Sequence, residues 1–179
     1  MDEVWWSRLQ NPSLSSWAVE HPLRLENKKL PKEDKDKKAI SCYGLLCKSI
    51  NKVWLRFVEV RPVSCITISY LEWVVRQLEI EKKKVLLLIW DNATWHKSKL
   101  VRSWIKQHNK EVKSKGGLRI LKCFLPIKSP WLNPIEPRWM HAKRSIVEPT
   151  NILSSNDLIS RVCSYFNNPI LDLLKQDVL

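Results

Sequence analysis

The sequence predicts an α/β fold, a mixed β-sheet covered by helices. Three observations lead there. Two strand-like runs are joined by the short segment KSIN, the pattern of an antiparallel hairpin. A continuous apolar run, KVLLLIW (84–90), has the length of a strand and reads as one buried on both faces. After it, strand and helix patterns alternate, which calls for parallel pairing.

The elements follow in order. Residues 1–27 read as irregular, broken by Pro12 and Pro22. The charge run KKLPKEDKDKK (28–38) is a surface loop. AISCYGLLC (39–47) and VWLRFVEV (53–60) are the hairpin strands, the second ended by Pro62. SYLEWVVRQLEIE (69–81) places Leu71, Val74, Val75 and Leu78 at helical spacing. The apolar run 84–90 follows. Then SKLVRSWIKQHNKEV (98–112) is helical, with Leu100, Val101, Trp104 and Ile105 on one face. KSKGG is a loop, and LRILKCFLP (118–126) a strand stopped by Pro126. A helix is expected from about Asn133 to Ser145, with Asn133 as N-cap, Pro134 first and Glu136 third. Pro137 fits that register badly, because it removes the first intrahelical hydrogen bond. A last helix spans about Ser155–Phe166, capped by Ser154 or Ser155, within a helical extension covering 146–179. The whole chain reads as a single domain.

Composition narrows the partners. Lys and Arg total 31 against 18 Asp and Glu, a net charge of +13 that suits a polyanion such as nucleic acid. The longest apolar run is too short to span a bilayer, and the opening MDEVWW lacks a signal peptide's positive n-region, so a cytoplasmic protein with no membrane partner is expected. Five scattered cysteines without a C-x-x-C pair read as reduced, mostly buried thiols. Three glycines are too few for a Gly-rich phosphate loop. Most of the ten tryptophans read as packing, with some available to stack on bases.

The acids give the chemistry. Asp91 ends the buried strand, where ligands bind in open α/β sheets, and is followed by Asn92 and His96. It reads equally as an Asx turn leading into the next helix. Glu136 sits behind the proline-rich LPIKSPWLNPIEPRW (125–139) and reads equally as a helix-start acid. Asp2 and Glu3 open the chain, where acids are usually only solvated.

DNATWHKS (91–98) and LPIKSPWLNPIEPRWMHAKR (125–144) resemble the two signature blocks of the IS630/Tc1-mariner superfamily of DDE transposases. The second block matches at Leu125, Pro126, Ser129, Pro130, Leu132, Asn133, Pro134, Ile135, Glu136, Trp139 and Lys143. The acids at 2–3, with Trp17 and Ala18 behind them, resemble the first block. The resemblance implies an RNase H-like fold and a DNA endonuclease whose catalytic, metal-binding triad is Asp2, Asp91 and Glu136. It implies hydrolysis and transesterification of DNA phosphodiesters at transposon ends. Three carboxylates suit that reaction, since they hold two Mg²⁺ or Mn²⁺ ions roughly 3.5–4 Å apart. The implied partners are transposon-end and target DNA, with a homodimer in the synaptic complex. Asn92 and His96 match the family pattern. Lys97, Lys128, Arg138, Lys143 and Arg144 flank the blocks as DNA-backbone contacts, or as an ordinary solvated basic face.

The chain departs from the pattern in three ways. The family's N-terminal helix-turn-helix region is expected to be absent from this chain. Only Met1 precedes Asp2, so the first, central strand is expected to be largely missing, as in an N-terminally truncated transposase. And 44 residues separate Asp91 from Glu136, more than is usual, with the surplus placed in the polar loop 109–117. Two other functions stay open: an inactive remnant that binds DNA or dimerises with intact transposase, and another RNase H-like nuclease.

Overall fold

A computed structural model describes residues 1–9, 15–16, 19–20, 23–24, 29–147 and 151–175. In chain order the strands and helices are β1 (Asp2–Ser7), β2 (Ser15–Ser16), β3 (Leu23–Arg24), β4 (Ala39–Cys47), β5 (Lys52–Val58), α1 (Ser64–Ile80), β6 (Val85–Trp90), α2 (Lys99–Lys115), β7 (Arg119–Phe124), α3 (Glu136–Ile146) and α4 (Ser155–Tyr165). No helix among the described residues is long and apolar enough to cross a membrane.

The hairpin forms as its pattern predicts. β4 and β5 pair antiparallel around a turn in which Asn51 takes a positive φ of 50°. Period-two alternation then sends side chains to two cores. Tyr43, Leu45, Trp54 and Val58 join the core under α1 and α2. Ile40, Cys42, Val53, Leu55 and Phe57 join the core under α3 and α4. The three-stranded sheet β1–β4–β5 is thus covered on both faces.

The expected irregular start is overturned. Residues 2–7 form β1, and every residue of it pairs antiparallel with β4, from Asp2 opposite Gly44 to Ser7 opposite Ala39. A strand over residues 2–7 therefore forms, at the edge of the β1–β4–β5 sheet and with no ladder to β6 among the described residues. Asp2 begins it, with only Met1 before it. The short part is the junction with β6, where the Met1 amine donates to the Ile89 carbonyl at 2.8 Å. β6 pairs parallel with β7 as a separate two-stranded sheet.

β6 corrects a second expectation. Leu86, Leu88 and Trp90 are buried, but Val85 and Leu87 are more than half exposed. The buried side chains of β6 join the core formed with α1 and α2. α1 begins five residues before the periodic segment, after Val63, which offers no side-chain cap. α2 and α4 carry serine caps: Ser98 accepts the Val101 N–H and Ser154 accepts the Asp157 N–H. The cysteines are all free thiols, as expected, but only Cys42 and Cys163 are buried, and Cys123 is exposed.

α3 corrects a third. Its first residue is Glu136, preceded by a 3-10 turn over Pro130–Leu132, and Asn133 is not its cap. Pro137 then occupies the second helical position, where no N–H is required. The first intrahelical bond runs from Trp139 N–H to the Ile135 carbonyl at 3.2 Å. The misfit of Pro137 disappears once the helix start moves by two residues.

Candidate active site

Three elements bring the predicted acids together. Asp91 follows β6 at its carboxyl end. Its Oδ1 accepts the Ala93 N–H at 3.0 Å, so the Asx turn read from the sequence does form. The same oxygen accepts from His96 Nδ1 at 2.8 Å. The turn and the ligand readings of Asp91 are therefore compatible. Asn92 does not reach outward: its Nδ2 donates to the Leu125 carbonyl at 2.5 Å, tying the end of β6 to the exit of β7.

Glu136 is half-buried in the first turn of α3, where the helix dipole favours a carboxylate. Asp91 and Glu136 line one cleft of about 330 Å³, together with Asn92, Lys128, Ser129 and Asn133. Lys128 is the cleft's cation, exposed, and held at a positive φ of 57°.

Asp2 lies behind the cleft, 7% exposed. Its Oδ2 accepts the Trp139 Nε1–H at 3.0 Å. Burial, then the charges of Glu136 and Glu3, push its pKa up to about 7, against the Trp139 bond that lowers it; Asp91 adds a smaller push. Asp2 therefore feels the charges of Glu136 and Asp91, although no three acidic, histidine or cysteine side chains among the described residues converge closely enough to hold a metal ion as a ready cage.

His96 is fully buried and stacked on Trp90, with ring centroids 4.5 Å apart and planes 16° from parallel. Its Nε2 donates to Glu3 Oε1 at 2.8 Å. A carboxylate at each nitrogen requires the ring to donate twice, so it is an imidazolium. Burial alone would lower its pKa, but the bonds to Asp91 and Glu3 outweigh that and hold it up at about 9. The same bond is the main reason that Asp91 titrates below the ordinary carboxylate range. The sequence names Glu3 beside Asp2 without giving it a role. Strand alternation is the signal that was available: Asp2 points toward α3, so Glu3 points to the opposite face, which is buried as well.

The remaining basic residues separate. Lys97 is half-buried and its N–H bonds the Ala93 carbonyl. Arg138 bonds Asn51 Oδ1 at 2.8 Å in a different groove, of about 640 Å³, shared with Lys52, His141 and Tyr165. Lys143 and Arg144 are exposed on the last turn of α3. Trp17 and Ala18, the tail of the first block, lie outside the described residues.

Residues 26–159 match the model of a family described as DDE superfamily endonuclease. No curated protein matches the chain. Among solved structures, the chain is similar to one in the crystal structure of the Mos1 strand transfer complex, with a TM-score of 0.58 and 14% identity. The likeness covers 94% of this chain but 46% of that one, so this chain spans about half its length. The fold shared with it is the RNase H-like mixed α/β fold.

Proposed function

Because the chain belongs to the DDE superfamily of endonucleases, we propose that it is the catalytic domain of a Tc1/mariner-type transposase that cleaves DNA and transfers strands at transposon ends. The observation that carries this reading is the shared cleft. Asp91 and Glu136, with 44 residues between them in sequence, line one cavity, and the charges of both reach Asp2.

The donor set fits divalent metal ions. All three side chains are carboxylates, the hard oxygen ligands that Mg²⁺ and Mn²⁺ take. Asp2 is pushed up to about 7 by burial and by the charges of Glu136 and Glu3, although the Met1 amine lies near it, so negative charge is in excess there. Asp2, Asp91 and Glu136 would hold the ions. When bound, two such ions would supply Lewis acidity toward an attacking water or 3′-hydroxyl and toward the oxygen leaving phosphorus. The chain's own residues do the rest. Lys128 draws the DNA backbone to the cleft. Trp139 fixes one oxygen of Asp2, and the Asx turn fixes one of Asp91.

The test is a metal-dependent nicking and strand-transfer assay with the full chain. Asp91→Ala and Glu136→Ala should each lower the rate about 10²–10⁴-fold, since metal ligation supplies several kcal/mol at about 1.4 kcal/mol per decade. A second reading, a remnant that binds DNA or pairs with intact transposase without cleaving, is favoured by one observation: the described acids form no ready three-ligand cage. DNA binding with no metal-dependent nicking in the unaltered chain selects it.

Lys128 allows a separate check. Lys128→Ala should weaken DNA binding evenly across sequences and flatten the log–log salt dependence by about one charge. An unchanged slope in a binding titration from low to moderate salt would place the backbone elsewhere.

A further inference from the structure

Among the described residues the two main sheets share no strand ladder. The acids nonetheless come from both: Asp2 from β1 of one, Asp91 from the end of β6 of the other. Among the described residues two hydrogen-bonded links join the ends of these strands. One is the Met1 amine on the Ile89 carbonyl. The other is His96, which bonds Asp91 Oδ1 through Nδ1 and Glu3 Oε1 through Nε2, each at 2.8 Å.

We infer that Glu3 and His96 are positioning residues, a buried Glu3–His96–Asp91 chain that clamps Asp91 by Oδ1 and so presents Oδ2 to a divalent cation. The inference rests on the reading of Asp91 as a metal ligand. Geometry supports it in three ways. The ring cannot swing, because it is fully buried and stacked flat on Trp90. Both of Asp91's described bonds fall on Oδ1, while its side chain stays 49% exposed, so one oxygen is fixed and the other remains available. And Glu3, 6% exposed at the side chain, has its Oε1 on that ring instead of on water. A buried charged chain of this kind costs desolvation that apolar packing would avoid. Outer partners that orient a ligating carboxylate are a known use for such a cost.

Two amides separate orientation from packing. In His96→Asn the side-chain amide lies near the place of Nδ1, so the bond to Asp91 is retained. In His96→Gln it reaches toward the place of Nε2, so the bond to Glu3 is retained and that to Asp91 is lost. The probe is Mn²⁺, followed through the spectrum of the free ion, with thermal unfolding measured on each variant. His96→Asn should stay within about threefold of wild-type Mn²⁺ affinity, and His96→Gln should weaken it about 10–100-fold. Glu3→Gln has the same shape as Glu3 and keeps an acceptor for Nε2, so it folds even where a His96 variant does not; like His96→Asn it keeps the bond to Asp91, and its affinity should stay within the same threefold. Equal affinities for Asn and Gln, or Glu3→Gln as weak as His96→Gln, overturn the inference while Asp91→Ala still abolishes binding. If Asp91→Ala binds Mn²⁺ as wild type does, the reading of Asp91 as a ligand fails, and the clamp fails with it.

Discussion

Replacing Gly44 with alanine should destabilise the chain and disable the site in one step. Gly44 lies in the middle of β4, opposite Asp2 on β1 and Leu55 on β5. A methyl group there would overlap the ring edge of Trp139 and stand 3.2 Å from Ile135 Cδ1. A glycine inside a strand marks such a close approach. Trp139 cannot retreat, for it is 3% exposed and set edge-on against both Trp6 and Phe166. Overpacking of this kind costs roughly 1–3 kcal/mol, a drop in Tm of about 2–12 °C for a chain of this size. The effect on cleavage should exceed what stability explains. Trp139 bonds Asp2 and lies one turn after Glu136, so moving its ring moves two of the three acids. A smaller ring should relieve the overlap: Gly44→Ala with Trp139→Phe should be more stable than the two single changes predict by addition. If Gly44→Ala melts with wild type and cuts at the wild-type rate, Trp139 does not pack on β4 in this way.

The sequence made some of this legible and hid the rest for physical reasons. The hairpin, α2 and α4 were readable because their signals are local: alternation, helical spacing, and for α4 the serine at 154, whose hydroxyl caps the helix; the cap of α2 at Ser98 emerges only in the fold. The cleft was half readable. The two long motif blocks pointed to Asp91 and Glu136, and the fold brings both to one cavity. β1 was not readable, because DEVWWS is too short to show its period and is a strand through pairing with β4, more than thirty residues away. Glu3 was hidden for the same reason, its partner His96 being 93 positions distant. The apolar run of β6 overstated burial, since hydrophobicity does not reveal which face a helix will cover. The start of α3 was misplaced because Asn133 and Pro134 resemble a cap and first turn. In the fold Asn133 is buried, its Nδ2 turned to the Met1 carbonyl, and the 3-10 turn before it takes up the chain's change of direction.

Asp2→Asn should yield a metal-free chain that is more stable than wild type above neutral pH and inactive. Asp2 titrates near 7 instead of 3.8, chiefly from burial and then from the charges of Glu136 and Glu3. A raised carboxylate destabilises the fold where it is ionised. As pH falls from about 7 to 3.8 the folded chain takes up a proton that the unfolded chain does not, so this group's contribution to stability rises across that window. The interval corresponds to at most about 4 kcal/mol. Asparagine is neutral throughout and keeps an acceptor for Trp139. In EDTA its advantage in Tm should therefore be largest near pH 8 and shrink toward pH 4. His96, held at about 9, also loses stabilisation as pH rises, through the window from 6.5 to 9, but it does so in both proteins and largely cancels in the difference. Mg²⁺ should narrow the gap at pH 8, because a cation relieves the repulsion that asparagine removes. Glu3→Gln makes the contrast: it weakens a satisfied pair with His96 and should lose stability under the same conditions. An Asp2→Asn protein less stable than wild type at pH 8 would mean that the ionised carboxylate is a net asset to the fold. Asp2 would then be a structural acid, and the site would rest on Asp91 and Glu136 alone. Gained stability with lost turnover is the opposite signature, that of a carboxylate kept for its chemistry.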